Sequence, residues 1–391
     1  MNFAAIKTIA RKELIDSSRD RRAIYSLIFS VLVGPILIGF MLNQIASQER
    51  AAHEIKVPLV GAEYAPILVN WLRQQPGVEV VEGPADPEAS VRDRKSDFVV
   101  VVEKDFAEKF RDSRPAPVQL YADSTRQNAR AKVRRIRGLL SRFSGEIAGM
   151  RLIARGVSPS LANSLKVEDV EVSNAQQRAA TVFNIIPMFL ILAAFSGAMQ
   201  IATDTTAGER ERGSLEPLLL NPVPRWQVVA GKWLAATIAA LLGMLMTLVI
   251  TAKVLSKLPL EDLGVRYHLG QTEIILLLLT VAPVAMMAPA IQIYLACFAK
   301  SFKEAQSYMA FLVFGVTIPG VLSTFYPITN RPWMHPIPII GQYAASMDIL
   351  GGKMPSVVGV VLAAAASLAL VGLFLWLATK LLSSEKIIFG R

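Results

Sequence analysis

Six long runs of uncharged, mostly apolar residues constrain the fold of this chain more than any other feature. A helix needs roughly 20 such residues to cross the hydrocarbon core of a bilayer. Unpaired backbone groups are costly in hydrocarbon, so each run is expected to be helical. A soluble protein would not bury six such helices in one chain. The runs are Ala23–Leu42, Ala179–Thr203, Trp233–Ala252, Ile274–Ala299, Ala305–Asn330 and Met354–Thr379.

Composition excludes several other classes of protein. Hydrophobic residues make up 53% of the chain and charged residues 18%, which excludes intrinsic disorder and disfavours an ordinary soluble enzyme. A single cysteine, Cys297, excludes a disulfide scaffold. The first run is longer than the apolar core of a cleavable signal, so residues 23–42 are predicted to be a membrane anchor.

Lysine and arginine are unevenly distributed around the six runs. Fifteen lie at the ends that would share one side of the membrane, and the two short loops on the other side hold five. The richer side is normally the cytoplasm. We therefore expect both termini to be cytoplasmic and residues 43–178 to lie outside the cytoplasm.

Residues 43–178 have the composition of a soluble domain in which strand and helix patterns alternate. This alternation predicts a small α/β domain. Helices are expected at Ala65–Gln74, after an N-cap at Asp86, and at Asp105–Asp112. The expected strands are Lys56–Val60, Val78–Val81, Phe98–Val102, Val118–Tyr121 and Val167–Val172.

A longer helix is predicted from about Ser124 to Arg155, because apolar residues there recur at alternating steps of three and four. This apolar seam would pack either on a partner or on the sheet of its own domain. Arginines occupy the other faces, and nucleic-acid binding is not expected, since no aromatic residues are interleaved with them. The seam consists of Val133, Ile136, Leu140, Phe143, Ile147, Met150 and Ala154.

Residues 1–22 combine helical spacing of Phe3, Ile6, Ala10 and Leu14 with basic residues between them. This pattern predicts a short amphipathic helix on the cytoplasmic lipid surface. The alternative is an ordinary cap on the first span. Together these elements predict an all-α polytopic membrane protein of six transmembrane helices, with an α/β extracytoplasmic domain inserted between helices 1 and 2.

The sequence has none of the catalytic motifs that we sought. It lacks a phosphate-binding loop, a nucleophile elbow and a zinc-protease motif, and its three histidines are far apart. No metal site or cofactor is therefore expected in this chain. Charged residues are also absent from the middle of every span, which disfavours an ion-coupled carrier. Energy for transport would have to come from a partner.

Residues 204–232 form the most informative loop. Ser214 is expected to cap a short helix that ends at Leu220, with Glu216 in its first turn. Held below two spans, such a helix can transmit force from a cytoplasmic partner, although a plain charged connector explains the pattern as well. The motif residues are Glu209, Arg210, Glu211, Gly213, Ser214, Glu216, Leu218, Leu219, Pro222 and Lys232.

These residues resemble the signature loop of type-2 ABC exporter permeases, and the layout is most similar to NatB-type sodium-efflux permeases. The resemblance implies that the loop is a coupling helix, docked in a groove of a separate ATP-binding subunit that holds ATP and magnesium. It implies export of sodium or of a small or amphiphilic substrate, by a pair of permease subunits in the bacterial plasma membrane. It also implies a re-entrant segment at residues 333–348.

Polar residues within the spans are few. We take Asn184, Gln200, Gln292 and Tyr294 as candidates for lining a pathway, with hydrogen bonding between helices as the alternative for each. Two other functions remain open for the whole chain. One is an envelope anchoring or assembly protein with a binding outer domain, and the other is a carrier driven by an ion gradient.

Overall fold

A computed structural model of the chain describes residues 3–123, 125–161, 183–258, 260, 269–325 and 331–383. The chain forms two compact units. The helical unit comprises Met1–Leu42 and Ser173–Arg391, and the sheet unit comprises Asn43–Val172. The predicted strand at Val167–Val172 lies outside the described residues.

Six helices in the described part of the chain are long and apolar enough to cross a membrane, which confirms the predicted number of spans. The candidate spans are Ala23–Ser47, Ile185–Glu211, Arg225–Leu255, Gln271–Ala296, Phe302–Ser323 and Val357–Leu382. The helices of the chain before and after the sheet are α1 (Phe3–Arg19), α2 (Arg21–His53), α7 (Ile185–Thr203), α8 (Glu209–Glu211), α9 (Leu215–Leu219), α10 (Arg225–Leu255), α11 (Gln271–Ala296), α12 (Phe302–Phe325), α13 (Ile340–Leu350) and α14 (Val357–Leu382).

Small residues let α7 and α10 approach closely in the core of the helical unit. A side chain at Gly197 would lie 3.1 Å from the carbonyl oxygen of Ala239, so glycine permits this contact. Next to it, Phe195 and Ala240 are fully buried. Close packing of this kind holds the two helices in a defined position. The same packing therefore fixes the helix ends that we predict to be cytoplasmic.

The predicted re-entrant segment, residues 333–348, overlaps α13, a helix of 11 residues that ends at Leu350. Gln342 Nε2 donates to the carbonyl oxygen of Ala363 on α14 at 2.9 Å. Tyr343 Oη donates to the carbonyl oxygen of Asn184 at 2.6 Å. These contacts tie the short helix to two spans, and its depth in a membrane stays a prediction.

The sheet unit is an α/β structure, as predicted. Its four strands are β1 (Ile55–Val60), β2 (Val78–Glu82), β3 (Phe98–Val102) and β4 (Val118–Ala122). They lie in the order β2-β1-β3-β4, with β1 parallel to β2 and β3, and β4 antiparallel to β3. Phe98, Val99 and Val100 of β3 are buried, so side chains on both faces of this strand are covered, as expected of a central strand. The elements are β1 (Ile55–Val60), α3 (Pro66–Arg73), β2 (Val78–Glu82), α4 (Pro87–Arg92), β3 (Phe98–Val102), α5 (Phe106–Arg111), β4 (Val118–Ala122) and α6 (Gln127–Ala154).

The apolar seam of α6 packs on its own sheet along most of its length. Ile136 and Phe143 are buried in the same core as the strands, and Ile147 packs against that core. Beyond this point the seam is uncovered, and Met150 is 57% exposed. Of the two alternatives, the structure favours packing within the unit, except at the C-terminal end of the helix.

Candidate functional site at the loop after the second span

The second span continues into the loop through one π-helical turn. Helix α7 passes directly into this turn, Asp204–Gly208, and then into α8. Arg212 braces the turn with two bonds to the carboxylate of Asp204, at 2.9 and 3.2 Å. A side chain at Gly208 would lie 2.8 Å from Asp204 Oδ1. The wider turn places Glu209 toward the interior of the unit, where it is 5% exposed.

Lys232 is the centre of a buried ion network with Glu209 and Glu13. Its Nζ lies 2.5 Å from Glu209 Oε2 and 3.1 Å from Glu13 Oε1. It also donates to the carbonyl oxygen of Thr205 at 2.6 Å, within the π-helical turn. Lys232 is only 1% exposed, and a buried ammonium group is tolerated when it is paired and hydrogen-bonded in this way.

Lys12 completes the network at its solvent edge. Its Nζ donates to Glu209 Oε1 at 2.8 Å and to Glu13 Oε1 at 3.3 Å. Partial burial lowers the pKa of Lys12, but the hydrogen bond and charge of Glu209, with the charge of Glu13, outweigh burial and raise the pKa above its usual value. Two ammonium groups thus balance two carboxylates.

The N-terminal helix α1 supplies half of this network by packing on α10. A side chain at Gly231 would lie 2.7 Å from Cβ of Ile9, so glycine lets the two helices touch. Ala10 is buried in the core of the helical unit, and Leu14 packs against that core. Two residues of the predicted apolar face, Ala10 and Leu14, therefore contact protein, whereas Phe3 is 67% exposed, and contact of α1 with lipid stays a prediction.

Arg210 and Glu211 attach the same loop to two further helices. Arg210 Nη1 donates to the carbonyl oxygen of Ala299, just beyond the end of α11, at 3.3 Å. Glu211 Oε2 accepts from the backbone N–H of Phe302, the first residue of α12, at 2.7 Å. Each charge suits the dipole of the helix end that it meets. The three charged residues from Glu209 to Glu211 thus contact α1, α10 and the ends of α11 and α12.

Gly213 ends α8 in a left-handed conformation, with a φ of 68°. The backbone N–H of Ser214 donates to the carbonyl oxygen of Glu209, and that of Gly213 donates to the carbonyl oxygen of Arg210. This is the Schellman pattern, for which glycine is the usual residue. The predicted side-chain cap by Ser214 is wrong, because its hydroxyl donates back to the carbonyl oxygen of Glu209.

The short helix α9 begins at Leu215, which is buried and anchors it. It ends at Leu219, one residue earlier than predicted. Glu216 and Pro222 are exposed, Leu218 is half-buried, and Leu220 is 85% exposed. The tip of the loop therefore presents one apolar and one acidic side chain to its surroundings.

Two of the four candidate pathway residues lie near opposite ends of α7. Asn184 precedes the helix, and its carbonyl oxygen accepts from Tyr343. Gln200, in the last turns of α7, lines a small cavity of about 50 Å³ with Glu13 and Asp204.

The other two candidates lie on α11 and contact different helices. Gln292 is fully buried, and its Nε2 donates to the carbonyl oxygen of Phe195 on α7 at 2.8 Å. Its Oε1 has no hydrogen-bond partner among the residues that the structure describes. The ring of Tyr294 packs on Phe374 of α14. Among the described residues, no hydrogen bond or ring contact joins any two of the four. The bond of Gln292 fits the alternative of helix–helix bonding, and a pathway role for the four residues stays a prediction.

Sequence reasoning missed Glu13 and Lys12 as parts of the site. Glu13 lies three residues after Ala10, on the face of α1 that is otherwise apolar, and this misplaced charge was the available signal. Within the described residues, no group of three or more His, Cys, Asp or Glu side chains is placed to hold a metal ion.

Comparison with known proteins identifies the family. A family model described as "ABC-2 family transporter protein" matches residues 25–380. "ABC transporter permease protein NatB" of Bacillus subtilis (strain 168) is 27% identical over 358 residues, 88% of this chain and 90% of that protein. "Probable multidrug ABC transporter permease YbhR" of Escherichia coli (strain K12) is 23% identical over 247 residues, 61% of this chain and 62% of that protein. With most of its length matched by the family model, the chain belongs to the ABC-2 family of transporter proteins.

Proposed function

We propose that this chain is the membrane-spanning permease subunit of an ATP-driven exporter. The observation that carries the proposal is the loop from Glu209 to Leu220. Its first three residues contact four helices, whereas its tip holds Glu216 and Leu220 in solvent. A partner that grips the tip therefore moves helices of the spanning bundle together.

Stiff contacts at the base of the loop allow it to transmit force. Buried charges that are paired and hydrogen-bonded leave few alternative positions for the residues that carry them. The Lys232–Glu209 pair links the loop to α10, and Glu13 extends the link to α1. A displacement of the tip is then transmitted to these helices instead of being absorbed by a flexible connector.

The partner in this proposal is a cytoplasmic ATP-binding cassette subunit, which holds ATP and magnesium. The similar proteins named NatB and YbhR are both described as ABC transporter permeases. On the basis of the same similarity, we expect two permease subunits to form the channel in the bacterial plasma membrane. The distribution of lysine and arginine supports cytoplasmic termini and an extracytoplasmic position for residues 43–178.

For substrate, we propose sodium or a small amphiphilic compound. The name of YbhR includes the word multidrug, and that of NatB specifies no substrate. Transport by vesicles that contain the complex, with radioactive sodium in one arm and fluorescent amphiphilic drugs in the other, distinguishes the two. Uptake that follows an ion gradient without nucleotide would instead indicate a secondary carrier.

Purification of the tagged chain from membranes of its native host tests coupling to an ATPase. We expect a nucleotide-hydrolysing subunit to co-purify with the wild-type chain. Glu216→Lys combined with Leu220→Asp should abolish this association, because it reverses the charge and removes the apolar group at the tip. Glu88→Lys is the matched control, since Glu88 is also an exposed acid in the first turn of a short helix.

Two results would contradict the proposal. One is a wild-type chain that never carries a nucleotide-hydrolysing companion, which would favour an anchoring or assembly role. The other is full association and efflux in the Glu216→Lys/Leu220→Asp variant at wild-type abundance.

A further inference from the structure

Two adjoining cavities open on the sheet unit beside helices α5 and α6. One has a volume of about 360 Å³ and the other of about 440 Å³. Both are lined by Phe106, Phe110, Ser113 and Arg151, so they meet at these side chains. Cavities of 300 to 1,000 Å³ with mostly apolar walls are typical of small-molecule sites.

Aromatic rings form much of the apolar wall. The ring of Phe110 stacks on that of Phe106, with centroids 5.4 Å apart, and on that of Phe143, at 6.3 Å. Leu140 and Ile147 of α6 line the first cavity. These rigid side chains leave an apolar surface within reach of solvent, where a ligand gains free energy by burying its own apolar part.

Among the described residues, the charged side chains that line the two cavities are all arginines. Arg114 and Arg151 line the first, and Arg111 and Arg151 line the second. In the part of the chain that the structure describes, no aspartate, glutamate or lysine lines either cavity. Every ionised side chain among these lining residues therefore presents a positive charge to a ligand.

The three arginines differ in the ion pairs and hydrogen bonds that their guanidinium groups form. Arg114 is paired with Asp112, at 2.7 Å. Arg151 donates one N–H to the carbonyl oxygen of Phe110, and its guanidinium lies 4.7 Å from the centre of that ring. Arg111 is exposed and has neither an ion pair nor a hydrogen bond within the described part of the chain. Donors thus remain for an anion at the shared mouth.

We propose that these cavities bind a single-chain amphiphilic anion, with its apolar chain against the phenylalanine rings and its anionic head on Arg111 and Arg151. The site lies wholly within the sheet unit, so it does not depend on the proposed coupling loop. A neutral chain would leave the arginines unused, and a cationic one would be repelled by them.

Cysteine protection in the full chain tests the proposal. The chain is reconstituted in nanodiscs of neutral phosphatidylcholine, where both faces are open to reagent, after Cys297→Ala removes the native thiol. Ser144→Cys places a reporter at the first cavity. Ser141→Cys is the matched control, since Ser141 is exposed on the same helix but lines neither cavity. A water-soluble maleimide measures the reaction rate of each thiol.

We expect decanoate to slow labelling at Ser144→Cys and to leave Ser141→Cys unchanged. Each buried methylene strengthens binding about fourfold, so decanoate should protect at about fifteenfold lower concentration than octanoate. Decyltrimethylammonium should give no protection. Arg111→Gln should raise the protecting concentration of decanoate about tenfold, because a charged hydrogen bond is lost. The bulky variant Ala148→Trp should abolish protection by filling the first cavity.

Four results would overturn the proposal. Equal protection of both cysteines would mean partition into lipid, and equal protection by decanoate and decyltrimethylammonium would mean that the arginines select nothing. Absence of protection by millimolar decanoate would mean that no such ligand binds. Labelling of Ser144→Cys more than tenfold slower than Ser141→Cys before any addition would mean that a protein segment covers the cavities.

Discussion

Removal of the buried ammonium group by Lys232→Met is the sharpest test of the ion network. The substitution keeps an unbranched side chain of similar length and deletes three contacts, with Glu209 at 2.5 Å, Glu13 at 3.1 Å and Thr205 at 2.6 Å. Two buried carboxylates are then left with Lys12 alone. Breaking a buried pair in this way costs about 3–5 kcal/mol. The remaining contacts of Lys12 favour the lower value, about 3 kcal/mol, or about 150-fold in the docking equilibrium of α1.

Hydrogen exchange of the backbone amides of α1, measured on the chain in nanodiscs, reports this equilibrium directly. Protection of α1 should fall about 150-fold in Lys232→Met. Lys12→Met is the matched control, because Lys12 meets the same two glutamates but is 50% exposed. A half-exposed pair is screened by solvent, so its loss should cost less than about 1 kcal/mol, or about fivefold.

A second substitution separates charge from packing. Glu13→Gln added to Lys232→Met leaves one buried carboxylate, Glu209, facing Lys12, which restores neutrality. Protection of α1 should recover by about tenfold or more over Lys232→Met. Protection of α1 in Lys232→Met that stays within threefold of wild type would refute the role of the buried ammonium group. An equal loss of protection in Lys12→Met would refute it as well, and so would a further loss of protection when Glu13→Gln is added.

Three further predictions concern neighbouring contacts. Gly213→Ala forces a side chain into a left-handed conformation and should destabilise the loop by about 1–2 kcal/mol, seen as faster local exchange; unchanged exchange would contradict this. Gly231→Leu should displace α1, because its Cβ would lie 2.7 Å from Ile9, whereas Gly315→Leu, with open space around its Cβ, should not; equal effects of both would argue against the contact. Glu211→Gln should speed exchange in the first turn of α12 a few-fold, since an anionic acceptor is lost, and a normal rate would exclude that role.

The number of spans and the content of the sheet unit follow from local patterns in the sequence. Hydrocarbon requires that backbone groups pair within the segment, so a long uncharged run such as Trp233–Ala252 has little choice but a helix. The strand at Phe98–Val102 and the N-cap at Asp86 are equally local, because β-branched residues and an Asp-Pro pair act on their own backbone. The motif in residues 204–232 was recognisable for the same reason, since its residues lie close together in the chain.

The arrangement around Lys232 was decided only by tertiary structure. Its partners Glu209 and Glu13 lie 23 and 219 residues away in the chain, and no periodicity relates positions so far apart. The hydroxyl of Ser214 likewise bonds backward instead of capping α9, because Gly213 turns the chain so that Glu209 offers its carbonyl oxygen. Sequence therefore determined which segments are helices or strands, whereas packing decided which charges were buried together.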